Sequence, residues 1–136
     1  MKYQFYNKLP DEAQYIREKV FVEEQGFEKE FDDIDHHCIH LVVFEDELPI
    51  GCARMYGEGE TMILGRIAVL QNKRELHIGS EILNQLEIKT KKLGYKTTTL
   101  SAQVRAKGFY KKNGYQEVGE EYLDEYCPHT VMTKEL

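Results

Sequence analysis

Lys73, Arg74 and His77 stand directly ahead of a stretch whose apolar residues recur at helical spacing from Ile78, with Gly79 and Ser80 in its expected first turn. The first amides of a helix have no intrahelical acceptor and together carry about half a positive charge. Basic side chains placed beside them therefore build a site for an anion, phosphate above all. A second reading fits the spacing equally well: a solvated charged loop before an amphipathic helix, with Glu75 and Glu81 opposing the anion. From Arg66 to Leu83 there is one glycine, Gly79. A Walker-type loop or a three-glycine dinucleotide fingerprint is therefore unsupported.

His36, His37, Cys38 and His40 form the other cluster with chemistry in it, because imidazole and thiolate bind zinc. A strand running from Cys38 would put Cys38 and His40 on one face and His37 and Ile39 on the other. No second ligand pair is spaced to complete a tetrahedron, so no metal is expected. Cys38, Cys52 and Cys127 are odd in number and lack CxxC spacing, which argues against a disulfide framework or zinc knuckle and for buried thiols.

Positioning these residues takes one domain. The 136 residues run without a linker, repeat or low-complexity tract, and the net charge of −6 disfavours a general nucleic-acid surface. The longest apolar runs fall far short of the ~20 residues a membrane span needs, and no signal-like segment follows Met1, so a cytoplasmic protein is expected. Residues 2–6 alternate like a strand. A helix is expected from Pro10 to about Glu24, with Ala13, Ile16 and Val20 on its apolar face and Arg17, Lys19 and Glu23 off it. Residues 26–37 are acid-rich and without period, a loop or short irregular helix under the first helix. Strands follow at 38–45, 50–56 and 62–70 as a meander with turns at 46–49 and 57–59.

The helix after Ile78 places Ile78, Ile82, Leu83, Leu86 and Leu93 along one face and closes at Lys91, Lys92 and Gly94. Residues 95–102 are Thr-rich and β-branched, so a strand parallel to its predecessor completes a βαβ unit. A short helix spans 104–113, closed by Gly114. Strands at 115–118 and 129–134 then flank an irregular segment.

Residues 64–86, together with Ser101-Ala-Gln-Val-Arg-Ala-Lys-Gly-Phe-Tyr-Lys-Lys-Asn-Gly-Tyr115, resemble the GCN5-related N-acetyltransferase (GNAT) family. Its acetyl-CoA motif is Arg/Gln-x-x-Gly-x-Gly/Ala after a central strand, and a Phe-Tyr-x-x-x-Gly-Phe/Tyr run follows the next strand. The second motif stands here as Phe109-Tyr110-Lys-Lys-Asn-Gly114-Tyr115. Residues 17–25 and 122–129 resemble a narrower bacterial branch, the ElaA-like or YjcF-like acetyltransferases. The resemblance covers nearly the whole chain. It implies a single α/β domain over 1–136, with a mixed, mainly antiparallel sheet flanked by helices and splayed parallel central strands.

The resemblance also implies the roles. Acetyl-CoA is the co-substrate; backbone groups of Ile67, Ala68 and Val69 line its pantetheine and thioester and stabilise the oxyanion. Arg74 matches the motif's leading basic residue and Gly79 its last small one, with Lys73, Leu76, Ile78 and Ser80 around the pyrophosphate. His77 occupies a place usually held by glycine, so its side chain must turn outward or narrow the site. Gln103 and Phe109 neighbour the cofactor. Tyr110 is the expected acid: a phenol near ~10 facing a thiol near ~8.5 makes full transfer uphill by about 2 kcal/mol, while a hydrogen bond during C–S cleavage stays favourable.

Arg17, Phe21, Glu24 and Gln25 border the acceptor in this reading. Glu24, His129 or ordered water collects the amine's proton. The acidic loops suit a cationic amine, and the acceptor is a small-molecule or peptide amine, with neither nucleic acid nor membrane as partner. Homodimers are common among the proteins it resembles. Two rivals share the fold: a catalytically silent acyl-CoA sensor, and a structural partner-binding module whose motif His77 has disabled.

Overall fold

Asp46 and Glu47 both hold positive φ, 50° and 69°, the hairpin geometry whose twist matches right-handed strands. In the computed structural model, which describes residues 1–136, they join β2 (Ile39–Glu45) to β3 (Leu48–Glu58). A second reversal at Gly59, φ 62°, leads into β4 (Thr61–Val69). β3 runs longer than its apolar alternation suggests and β4 starts one residue earlier than expected, so the turn lies at Gly59 and Glu60 and not across 57–59. β1 (Lys2–Tyr6) pairs with β2, and β5 (Thr97–Gln103), β6 (Gln116–Asp124) and β7 (Cys127–Glu135) complete the sheet. The spatial order is β1-β2-β3-β4-β5-β7-β6.

Helices cover both faces. α1 (Asp11–Arg17) and the turn after it bury Ala13, Ile16 and Val20 with Val42, Cys52 and Ala68 on one side. α2 (Ile78–Lys92) presents Ile78, Ile82, Leu83 and Leu86 to Leu41, Val43, Leu64 and Leu100 on the other. α3 (Lys107–Lys112) lies on the α2 side, where Phe109 and Tyr110 pack against that core. Leu93 departs from its expected face: it follows the last turn of α2 and is 46 % exposed.

Three further expectations are corrected. The first helix is not α-helical to Glu24; after Arg17 it widens into a π-helix over Glu18–Glu24, which shifts the facing of Phe21, Glu24 and Gln25. Arg17 is not on a solvent face but 1 % exposed, because Asp35 and Glu30 from the acid-rich segment fold over it. The segment around 119–128 belongs to a β6–β7 hairpin that pairs from Gln116 against Thr133 to Asp124 against Cys127, with a bulge between Val118 and Tyr122. Every residue of β6 is exposed, so no buried face marked it in the sequence.

Candidate active site

β4 and β5 are the one parallel pair, and they pair only over residues 61–64 against 97–100. Beyond Leu64 and Leu100 the ladder stops, although β4 continues to Val69 and β5 to Gln103. The cause is local. The register with β3 slips between Cys52 and Arg54, so Arg66 and Ile67 together oppose Ala53, a bulge with Arg66 at φ 51°. The extra residue reverses the alternation: Met62 and Leu64 face α2, whereas Ala68 faces α1. A notch opens in the middle of the sheet, and two cavities meet in it.

The outer cavity, about 510 Å³, lies between the turn after β4, the start of α2, and α3. Ile67, Ala68 and Val69 form one wall; Lys73, Arg74, His77, Ile78, Gly79 and Ser80 form the rim, with Phe109 and Tyr110 opposite. No side chain caps α2, so its first amides are free to bind an anion. His77 precedes the helix at φ 59°, ψ 19°, a left-handed conformation that a glycine adopts without strain, and its imidazole is exposed. A Cβ on Gly79 would come within 3.1 Å of the Phe109 ring, a tight contact that the ring would have to relieve by a few tenths of an ångström. Leu76, 54 % exposed, lines neither cavity.

Arg74 is already engaged. Its Nη1 and Nη2 donate to Glu24 at 2.6 and 2.7 Å, and its Nε donates to the Val69 carbonyl at 3.1 Å. Glu24 therefore faces the rim of the outer cavity and an outer groove, and does not line the inner cavity. Hydrogen bonds from Arg74 hold its carboxyl below the usual glutamate range. Lys73 also rests on a carboxylate, Glu45, at 2.6 Å.

The inner cavity, about 240 Å³, opens on the α1 side of the notch. Phe21 and Gln25 from the π-helical turn, Gly65 and Arg66 from the bulge, Ser101 and Gln103 from β5, and His129 from β7 surround it. His129 is 7 % exposed and its Nδ1 lies 2.9 Å from the Cys127 carbonyl, which can only accept. In the neutral imidazole Nδ1 thus carries the proton and Nε2, with no protein partner, carries the lone pair. The hairpin tip closes this side, where Glu125 accepts the Glu28 and Lys29 amides at 3.0 and 3.1 Å and the Tyr126 hydroxyl donates to the Gln25 carbonyl.

Gln25, Ile67, Ala106 and Tyr110 line both cavities and so mark their junction. The Tyr110 phenol has no protein partner, and burial pushes it up to about 12. A sheet notch, an uncapped helix start and a phenol between two chambers suit a two-substrate transfer.

The sequence profile described as "Acetyltransferase (GNAT) domain" matches residues 9–136. The chain belongs to the GNAT acetyltransferase family. Among GNAT relatives, the uncharacterized N-acetyltransferase YjcF of Bacillus subtilis (strain 168) is 38% identical over 127 residues, 91% of each chain. The crystal structure of Escherichia coli ElaA superposes with a TM-score of 0.88 at 22% identity, covering 98% of this chain and 99% of that one. A GNAT family acetyltransferase from Elizabethkingia anophelis with acetyl-CoA bound has a TM-score of 0.75 at 17% identity, covering 98% of both.

Within this GNAT domain Arg17 lies outside both cavities, its guanidinium donating to Asp35 at 2.6 Å and Glu30 at 2.9 Å. Asp35, Cys38 and His40 do come together, all within 4.8 Å, but their chemistry does not suit a metal ion. Asp35 is shared by Arg17 and Arg54, and His40 Nε2 donates to the Asp35 carbonyl at 3.0 Å. Burial pushes the Cys38 thiol up to about 11 and holds His40 below its ordinary value. Lys29, Arg66, Ser101, Arg105 and Asp124, all on the inner cavity, carried no motif that could have singled them out. No helix is long and apolar enough to cross a membrane.

Proposed function

We propose that this chain is an acetyl-CoA-dependent N-acetyltransferase that moves the acetyl group to a primary amine by direct attack, without a covalent enzyme intermediate. The observation that carries the reading is Tyr110, whose unpartnered phenol lies where the two cavities join. The outer cavity fits coenzyme A: a free helix start and Arg74 suit the pyrophosphate, and the notch wall of Ile67, Ala68 and Val69 suits an extended pantetheine. The acetyl-CoA-bound fold neighbour supports the same choice. Bound acetyl-CoA supplies an acyl group activated as a thioester.

In this reading the acceptor amine enters through the inner cavity and meets the carbonyl carbon at the junction, where alignment replaces a collision. Amides along 67–69 stabilise charge developing on the carbonyl oxygen. His129 Nε2 takes the amine's proton, directly or through water; it suits this better than Glu24, which is held by Arg74. Tyr110 at about 12 stays protonated at physiological pH. Its gap to a thiol near ~8.5 makes full transfer uphill by about 5 kcal/mol, so its role is a hydrogen bond to the departing sulfur. The free thiols of Cys38, Cys52 and Cys127 take no part and suit a cytoplasmic setting. A homodimer remains part of the proposal, with the exposed edge strand β6 as its candidate contact.

The test is release of free thiol from acetyl-CoA with a broad amine panel, alongside thermal stabilisation by acetyl-CoA. Wild-type protein is expected to be stabilised and to turn over. Tyr110→Phe is expected to lose about 10- to 100-fold in kcat while acetyl-CoA still stabilises it. Unchanged turnover in that variant removes the acid role. The grip of Glu24 on Arg74 favours a second reading, a silent acyl-CoA sensor, which stabilisation without thiol release would establish. No stabilisation would leave only the structural module.

A further inference from the structure

The acid-rich segment at 26–37 keeps little negative charge for the inner cavity. Glu30 is taken by Arg17 and Arg66, at 2.9 and 2.8 Å. Asp32 pairs with Arg54 at 2.7 Å, and Asp35 is shared between Arg17 and Arg54. The charged groups that line the cavity without an ion-pair partner are then Lys29, Arg105 and Asp124, a surplus of cation.

Arg105 is held in an unusual way. Its Nε donates to Gln103 Oε1 at 2.7 Å, and Gln103 Nε2 donates to Gln25 Oε1 at 2.8 Å. Two neutral amides thus fix the guanidinium at its inner nitrogen and neutralise none of its charge. Both Nη groups lack a protein acceptor, beside the junction residue Ala106. A planar fork with open N–H groups matches the paired oxygens of a carboxylate or phosphate.

We propose, resting on the acetyltransferase reading above, that the acceptor is a primary amine that itself carries an anionic oxygen group, a carboxylate or a phosphate, held by the Arg105 fork, with Lys29 on the same cavity. The relay through Gln103 and Gln25 positions the fork. A diamine or polyamine would bring its second ammonium against the cationic surplus. The acidic loops, taken from the sequence as a lure for cations, serve instead to hold the arginines behind the wall.

The test uses full-length protein and one short amine skeleton in four forms: uncharged at its far end, or bearing there an ammonium, a carboxylate or a phosphate. Ethylamine, ethylenediamine, β-alanine and O-phosphoethanolamine serve. Initial thiol release is read with acetyl-CoA, and the thermal shift of coenzyme A-loaded protein is read in parallel. The expected result is at least a tenfold preference in kcat/KM for one or both anionic forms over the uncharged and ammonium forms. The carboxylate and phosphate arms separate the two sources. Arg105→Gln is expected to collapse that ratio toward one, and Arg105→Lys to restore part of it. A leading ammonium form, or no difference among the four in both measurements, overturns the inference. If acetyl-CoA itself fails to bind, it is the parent reading that falls.

Discussion

Arg74 and Glu24 grip each other through two short hydrogen bonds across the rim of the outer cavity, and each role expected of them is altered by that pairing. Under the proposed function, a coenzyme A pyrophosphate would compete with Glu24 for the same guanidinium. The pair is partly exposed, so it is worth at most about 1 kcal/mol. Glu24→Gln is therefore expected to tighten acetyl-CoA binding by about two- to fivefold, measured by calorimetric titration, with kcat kept. A collapse in kcat with unchanged affinity would return Glu24 to the role of base. The sequence made Tyr110 and Arg74 legible because motif spacing places them. It hid their partners, since the Arg74–Glu24 contact joins residues 50 apart and no local pattern encodes it. Arg105 was invisible for a related reason: an arginine beside a motif acquires meaning only from the neutral amides that hold it and from the absence of an ion pair, although Glu24 lies near enough to feel its charge.

At the scale of elements, the start of α2 is the sharpest constraint. His77 is left-handed, which costs an L-residue about 1 to 2 kcal/mol, whereas glycine there would add about 0.5 to 1 kcal/mol of chain entropy. His77→Gly is thus expected to leave the melting temperature within a few degrees of wild type and acetyl-CoA affinity within about twofold, because the imidazole is exposed. A tenfold gain in affinity would show that histidine does narrow the site. Gly79→Ala is expected to act oppositely: its methyl meets the Phe109 ring at 3.1 Å, pushes α3 from the rim, and weakens acetyl-CoA in the same titration. The βαβ unit around α2 was readable because apolar periodicity and caps agree there. The π-helix at Glu18–Glu24 was not, since Ala13, Ile16 and Val20 fit an uninterrupted α-helix. The β6–β7 hairpin escaped because an edge strand exposed on all nine residues has no apolar alternation.

Across the whole molecule, the buried ion network ties the acid-rich segment to α1 and to the bulge of β4. Burial works to raise Asp35, but hydrogen bonds from Arg17, the Asp32 amide and Arg54 bring it down to about 2. A carboxyl lower in the folded than in the unfolded chain stabilises the fold above its unfolded value and loses that contribution as pH falls through the folded one. Stability is therefore expected to drop between about pH 4 and pH 2, measured by denaturant unfolding across that range, and Asp35→Asn is expected to flatten this limb while lowering stability at pH 7. An unchanged limb would place the acid sensitivity elsewhere. The notch between β4 and β5 has a different consequence. Two strand edges face each other there without pairing, so the centre of the sheet reaches its full hydrogen bonding only when something extended lies between them. Part of the free energy that keeps this chain folded then resides in its ligand, growing with the logarithm of ligand concentration, about 2.7 kcal/mol at a hundredfold excess over Kd. In a cell, the protein's lifetime against proteases is then expected to lengthen as the concentration of whatever fills that notch rises.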